Sequence, residues 1–250
     1  MLVNATEKKW FSSPKRNSQA QLKLFCFPYA GGNSQTYRAW PFKLPETIEV
    51  QAVNLPGRGT RLREAPFTRL TPLVHELAEA ILPELDKPFA FFGHSMGALI
   101  AFELTHQLRK LNLPSPAHLI VSGRSAPHLP DTDPQTHDLP EKEFLEELRR
   151  LNGTPAEALD HPELMQLMLP ILRADFAICE TYSYEDRPVL DCPITALGGL
   201  DDANVSREEL ASWRERTSGA FTMRMFPGDH FFLHTSQSPL LETVTALLTK

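Results

Sequence analysis

Phe89-Ala90-Phe91-Phe92-Gly93-His94-Ser95-Met96-Gly97 is an apolar run that ends in Gly-x-Ser-x-Gly, and its reading decides the fold. Four apolar residues in succession have the composition of a strand buried on both faces. The segment behind the motif, 98–109, opens with small residues and carries helical patterning. Strand, sharp turn and helix in that order form a nucleophile elbow, in which the serine is strained and its hydroxyl projects above the sheet. Gly93 and Gly97 flank the serine because side chains there would collide. The pattern is short enough to arise by accident as a glycine-rich turn, so the strand before it and the helix after it carry the reading. They predict Ser95 as a nucleophile.

Outward from the elbow, apolar runs at 22–27, 49–54, 118–122, 194–199 and 222–226 supply further strands, separated by segments long enough for crossover helices. Thr71-Pro72 offers a helix N-cap and first turn, followed by a stripe of Leu73, Leu77, Ile81 and Leu85. Ser206-Arg207-Glu208-Glu209 fits a capping box. Ser238-Pro239 opens a last helix whose Leu240, Leu241, Val244, Leu247 and Leu248 share a face. This alternation predicts an α/β fold with a mostly parallel central sheet flanked by helices, in a single domain over 21–250. Residues 1–20 read as a loosely attached tail. The stretch 126–187 breaks the rhythm with helical patterns at 141–151 and 163–178, and reads as a helical insertion. Its second pattern is crowded with leucine and methionine, and Pro170 is expected to kink or split it. An ordinary core helix and a lid over an acyl-binding cavity both fit that composition.

Composition narrows the function. With 250 residues the chain can bury a full core, and a net charge of −6 argues against the broad positive surface that nucleic-acid binding uses. No stretch approaches the roughly 18 apolar residues of a membrane span. Lys8, Lys9, Lys15 and Arg16 stand among polar neighbours without the apolar middle of a secretory signal, so a cytoplasmic location is expected. Cys26, Cys179 and Cys192 form no C-x-x-C pair and read as buried thiols. No cofactor is expected, because Gly57 and Gly59 do not continue into a dinucleotide fingerprint. Nor is a metal, because the His230/His234 spacing lacks the glutamate of a zinc helix and has Phe231 there.

A serine nucleophile needs a histidine base and an acid to fix its tautomer. In an α/β-hydrolase these follow in the order Ser, Asp or Glu, His, at the C-terminal ends of late strands. The strand over 194–199 runs into Leu200-Asp201-Asp202, and the strand over 222–226 runs into Pro227-Gly228-Asp229-His230. His230 is the expected base. His234, in the apolar run 231–233, and His94, beside the nucleophile, are expected to be structural. Asp201, Asp202 and Asp229 compete as the acid; Asp229 is weakest, since the side chain of an immediate neighbour usually points away. Met96 supplies one backbone N–H for an oxyanion. The loop Phe27-Pro28-Tyr29-Ala30-Gly31-Gly32 supplies a second, assigned to Ala30. Leu55-Pro56-Gly57-Arg58-Gly59 reads as a tight turn with Arg58 exposed.

Together, the 27–32 and 55–59 loops, the elbow and Gly228-Asp229-His230-Phe231-Phe232 resemble the stand-alone type II thioesterases of polyketide and nonribosomal peptide synthesis. The resemblance implies removal of misloaded acyl or aminoacyl groups from the phosphopantetheine arm of an acyl or peptidyl carrier protein. It also implies Asp202 as the acid, because Gly199, Asp202 and Val205 reproduce the family's pattern. Ala30 and Met96 as oxyanion donors and a mobile helical lid follow from the same source. Arg58, Arg61 and Arg63 are the expected local basic patch for an acidic carrier or its phosphate, and a monomer is the expected state. The triad alone suits small oxygen esters equally, which leaves a carboxylesterase or lipase-like enzyme as the second reading. A catalytically silent hydrolase fold acting in binding is the third.

Overall fold

The computed structural model describes residues 10–130, 134–151, 153 and 159–249. Seven strands, β1 (Phe11–Ser12), β2 (Leu22–Phe27), β3 (Ile48–Val53), β4 (Phe89–His94), β5 (His118–Ser122), β6 (Ile194–Gly199) and β7 (Phe221–Phe226), form one sheet in the order β1-β3-β2-β4-β5-β6-β7. Every pairing from β3 through β7 is parallel, and only the edge pairing of β1 to β3 is antiparallel. β2, β3, β4 and β6 are buried along their whole length. Strands covered on both faces have no use for alternation, which is why their sequences read as continuous apolar runs.

Each face has its own core. Side chains alternate across a strand, so Phe91 packs with Phe25 and Phe27 under helices α1 (Leu70–Ile81) and α2 (Met96–Lys110), while Phe92 packs with Tyr37 and Trp40 on the other face. The last helix, α7 (Gln237–Leu248), closes that second face with Leu240, Leu241 and Val244. α5 (Arg207–Ala211) begins with the expected capping box, Ser206 and Glu209 bonding reciprocally. The short α6 (Phe232–Thr235) lies between β7 and α7. α1 starts at Leu70, with Arg69 at the cap position, so Thr71-Pro72 lies inside its first turn rather than at its boundary.

The insertion holds α3 (Glu141–Leu151) and α4 (Pro162–Glu180), and no strand is found among its described residues. Phe144 and Leu148 of α3 pack on Met165, Leu169 and Leu172 of α4, making a third small core. Of the kink or split expected at Pro170, the split does not occur: α4 runs as one helix through it. Pro170 is exposed, so the Gln166 carbonyl that its ring deprives of an N–H faces the solvent side, while Leu169 and Leu172 hold the helix from within.

The N-terminal segment also differs from its sequence reading. Trp10 and Phe11 are buried, Asn54 N–H donates to Trp10 O at 2.7 Å, and Phe11 meets Phe25 edge-on with centroids 5.2 Å apart. The Arg61 guanidinium lies 3.9 Å from the Trp10 ring centroid. The expected tail therefore joins the sheet at Phe11–Ser12; its first nine residues lie outside the described ones. A strand of two residues is too short for periodicity to reveal. Trp10→Ala is expected to lower stability by about 3 kcal/mol, measured by urea unfolding; an unchanged midpoint would return this segment to the status of a tail.

Candidate active site

Ser95 sits between β4 and α2 with φ 52° and ψ −115°, a left-handed conformation that a non-glycine residue rarely adopts. The turn is held from outside, since Ser95 N–H donates to Ser122 O of β5 at 2.7 Å. Its glycines are required by backbone contact: a Cβ on Gly93 would lie 2.1 Å from Gly97 O, and one on Gly97 would lie 2.1 Å from Phe27 O. β2 and the first turn of α2 thus touch directly. That contact brings Met96, whose N–H lies at the unpaired start of a helix, against the loop after β2. In that loop Gly31 N–H donates to Asp175 Oδ2 at 2.7 Å and Gly32 N–H to Tyr29 O at 2.9 Å. The N–H of Ala30, the residue before them, has no acceptor among the described residues. Ala30 and Ser95 line one cavity of about 680 Å³.

His230 lines the same cavity. Its Nδ1 lies 2.8 Å from Asp202 Oδ2, and since a carboxylate can only accept, Nδ1–H donates and Nε2 is left as the basic nitrogen. The Asp202 side chain is fully covered. Its other oxygen accepts from Asn204 N–H at 2.9 Å and Val205 N–H at 3.2 Å, which fixes the carboxylate's direction. The two loops are stitched together by Leu200 N–H to Phe226 O and Asp201 N–H to Gly228 O, at 2.8 and 3.0 Å. A Cβ on Gly199 would come within 2.4 Å of Asp229 O, so only glycine permits this approach. Asp201 is exposed, and Asp229 Oδ1 accepts from Phe231 N–H in its own turn. Of the three aspartates, Asp202 is the one bonded to His230.

Two further histidines lie in this region, His94 and His234. His94 is wholly buried, with Nδ1 2.9 Å from Ser122 Oγ, Nε2 without a hydrogen-bond partner, and its ring centroid 5.2 Å from that of His230. Burial pushes its pKa well below the usual imidazole value, and the neighbouring His230 and His234 add to the effect. It is therefore neutral. His234 lies on α6 with Nε2 3.1 Å from Tyr29 Oη, a packing contact far from a base's role.

The far walls of the cavity come from the insertion, through Leu148, Leu151, Leu172 and Phe176, and from Arg124 and Tyr182. The three expected carrier-facing arginines do not form one surface. Arg58 is buried and bidentate to Asp175, with both N···O distances 2.6 Å. Arg61 is buried between Trp10 and Glu64, donating to both carboxylate oxygens. Only Arg63 of the three is exposed. Each inward arginine found a carboxylate, and guanidinium is the cation best suited to bidentate burial. Asp175 itself escaped the sequence reading. Its signal was a lone charge within Ala174-Asp175-Phe176-Ala177-Ile178, where a carboxylate has to be paired.

No group of three or more metal-ligating side chains occurs among the described residues, and no helix there is long and apolar enough to cross a membrane. Residues 22–248 match the family model described as thioesterase domain. A Brevibacillus parabrevis protein named linear gramicidin dehydrogenase LgrE is 48% identical over 98% of this chain and 95% of its own length. The gramicidin S biosynthesis protein GrsT of Aneurinibacillus migulanus is 47% identical over 94% of this chain and 91% of its own. The solved type II thioesterase BorB from the borrelidin biosynthetic cluster superposes with a TM-score of 0.88 at 36% identity, covering 96% of this chain and 97% of that one. The first relative's name speaks of a dehydrogenase, yet no Gly-x-Gly-x-x-Gly occurs in this sequence. A family model over nearly the whole chain, with relatives almost half identical along nearly their full length, makes this chain a member of the thioesterase family, on an α/β-hydrolase fold.

Proposed function

We propose that this chain hydrolyses acyl or aminoacyl thioesters on the phosphopantetheine arm of acyl or peptidyl carrier proteins, removing misloaded groups from polyketide or nonribosomal peptide assembly. Ser95, His230 and Asp202 form its triad. The observation that carries this reading is the covered Asp202 bonded to His230 on the wall of the cavity that Ser95 also lines. The names of GrsT and BorB, both tied to biosynthetic systems, support the carrier-bound substrate class.

Ser95 Oγ attacks the thioester carbonyl while His230 Nε2 takes its proton, and Asp202 stabilises the imidazolium that forms. The carbonyl oxygen becomes an oxyanion, received by the N–H groups of Ala30 and Met96, each worth on the order of 3 kcal/mol to the barrier. Collapse breaks the C–S bond, and the thiolate leaves with the proton from His230. Water then attacks the acyl-serine, His230 again taking the proton, and the acid is released with Ser95 restored. The neutral state of His94 matters to this sequence, because a second cation beside His230 would oppose imidazolium formation. The insertion roofs the cavity and keeps water from the acyl-enzyme. Arg63 is the remaining exposed arginine of its loop for an acidic carrier. The enzyme acts in the cytoplasm as a monomer.

The test compares an acyl-carrier protein, acyl-coenzyme A and an aryl ester as substrates for the wild type and Ser95→Ala. Preference for the carrier, abolished by the substitution, is the expected result. Preference for the ester would make the chain a carboxylesterase, and no Ser95-dependent turnover on any substrate would leave a binding protein. Asp202→Asn should lower kcat by about ten-thousand-fold, as loss of a triad acid does, whereas Asp201→Asn should stay within about twofold.

His94 also makes stability depend on pH. Its folded pKa lies below its unfolded value, so the unfolded chain binds the extra proton first. The stability contributed by the neutral ring is complete above about pH 6.5 and declines as pH falls below it. His106, pushed down to about 3 by burial and nearby arginines, and His234 act in the same direction. Melting temperatures should therefore be flat from pH 8 to 7 and fall toward pH 5, with a shallower fall in His94→Gln. An identical slope in that variant would show that His94 does not carry the effect.

A further inference from the structure

Asp175 and Arg58 form a buried ion pair that the reaction above does not use. Asp175 is 0% exposed and Arg58 is 6% exposed. The guanidinium spans both carboxylate oxygens, and its Nη1 also donates to Gly32 O at 3.1 Å. Asp175 Oδ2 accepts from Gly31 N–H at 2.7 Å as well. Three segments meet here: helix α4 of the insertion, the loop after β3 and the loop after β2 that carries Ala30. One turn earlier on α4, Leu172 packs against the Gly31 backbone so closely that a Cβ on Gly31 would lie 2.6 Å from its Cδ2.

A buried pair of this kind is a poor stabiliser, since desolvating both ions consumes most of the attraction between them. What it does supply is direction. Asp175 turns the Gly31 N–H away from the cavity and Arg58 holds the Gly32 carbonyl, so the peptide planes on the C-terminal side of Ala30 are fixed from outside. Gly31 and Gly32 N–H are both bonded, whereas the Ala30 N–H has no protein acceptor among the described residues. Gly31 has φ 76°, a conformation the loop would readily leave if its N–H were released. The guanidinium also cancels the carboxylate's charge, which would otherwise stand near a developing oxyanion and oppose it.

We propose that Asp175, neutralised by Arg58, is a positioning residue for the oxyanion loop, so that helix α4 of the insertion belongs to the catalytic apparatus as well as covering it. This rests on the reading of Ala30 N–H as an oxyanion donor.

The test uses two double variants of the full chain that both remove the buried charges and differ only in the acceptor offered to Gly31. Arg58→Met/Asp175→Asn keeps a side-chain carbonyl for that N–H, and Arg58→Met/Asp175→Leu does not. Kinetics on an aryl ester, labelling of Ser95 by a fluorophosphonate and urea unfolding are measured for each. The leucine variant should lose about 100-fold in kcat and in labelling rate, the scale of a misplaced oxyanion donor, with KM moving less than about threefold. The asparagine variant should stay within about tenfold of the wild type at a similar unfolding midpoint. Equal rates in the two variants overturn the proposal, as does a rate loss that only tracks lost stability. If either variant fails to fold, Arg58→Lys serves, since a lysine cannot span both oxygens and Gly32 O. It should lower kcat about tenfold at unchanged KM, and wild-type kcat overturns the idea. Wild-type enzyme inactive on the ester and unlabelled at Ser95 would instead defeat the hydrolase reading, so the two failures are distinct.

Discussion

The contact between Gly97 and the Phe27 carbonyl is the constraint on which the site depends. With 2.1 Å between that oxygen and the place a Cβ would occupy, no other residue lets the first turn of α2 touch the end of β2. The touch sets the spacing between Met96, at the head of the helix, and the loop holding Ala30. A second approach of the same kind, Gly199 against the Asp229 carbonyl, sets the spacing between the Asp202 and His230 loops. Both contacts are backbone to backbone, at the C-terminal edge of a parallel sheet where neighbouring strands already fix the chain. The geometry is therefore set by stiff parts of the molecule, and the side chains only complete it.

Charge inside this fold obeys two rules. Where an ion meets the proposed base, it is covered and directed: Asp202 has no exposed side-chain surface and accepts from two backbone N–H groups besides His230. Where an ion is needed for shape, it is matched in place, as with Arg58 on Asp175 and Arg61 on Glu64. His94 follows neither rule. Its ring is buried beside the base without a carboxylate, and burial keeps it uncharged. A neutral polar ring next to His230 fills the space behind the elbow without adding a second positive charge there.

What could be read from the sequence was what is encoded locally. The five inner strands and the last one stand within a residue of the apolar runs; the inner ones were legible because strands buried on both faces need no partner to be recognised. The elbow was legible because its glycines, strand and helix are contiguous. The aspartate that pairs with His230 was singled out only through the Gly199, Asp202 and Val205 pattern, and the structure supplies its physics: Val205 is buried, and its N–H holds Asp202 Oδ1. Spacing alone could not choose between neighbouring aspartates. Nor could it turn Arg58 inward, since the partner lies 117 residues away in sequence. A basic loop looks solvated until its carboxylate is found, and an isolated aspartate in an apolar helix is the hint that such a partner exists.

α4 joins these two kinds of information. Its first half, up to the exposed Pro170, shows Leu164 and Leu167 to solvent, while its second half is buried and carries Leu172 and Asp175 against the Gly31 backbone. The proline removes one helical hydrogen bond between the halves, at the carbonyl of Gln166. In the function proposed above, a cover that admits a carrier-borne acyl group and a strut that holds an oxyanion donor place opposite demands on one helix. They are compatible because the demands fall on different turns. Displacement of the first half costs exposure of Met165 and Leu169 from the small core against α3, whereas displacement of the second separates a buried ion pair and leaves both charges uncompensated. Displacing the second half would also release the Gly31 N–H and the Gly32 carbonyl, so access to the cavity is expected from the α3 side while the Gly31 anchor stays in place.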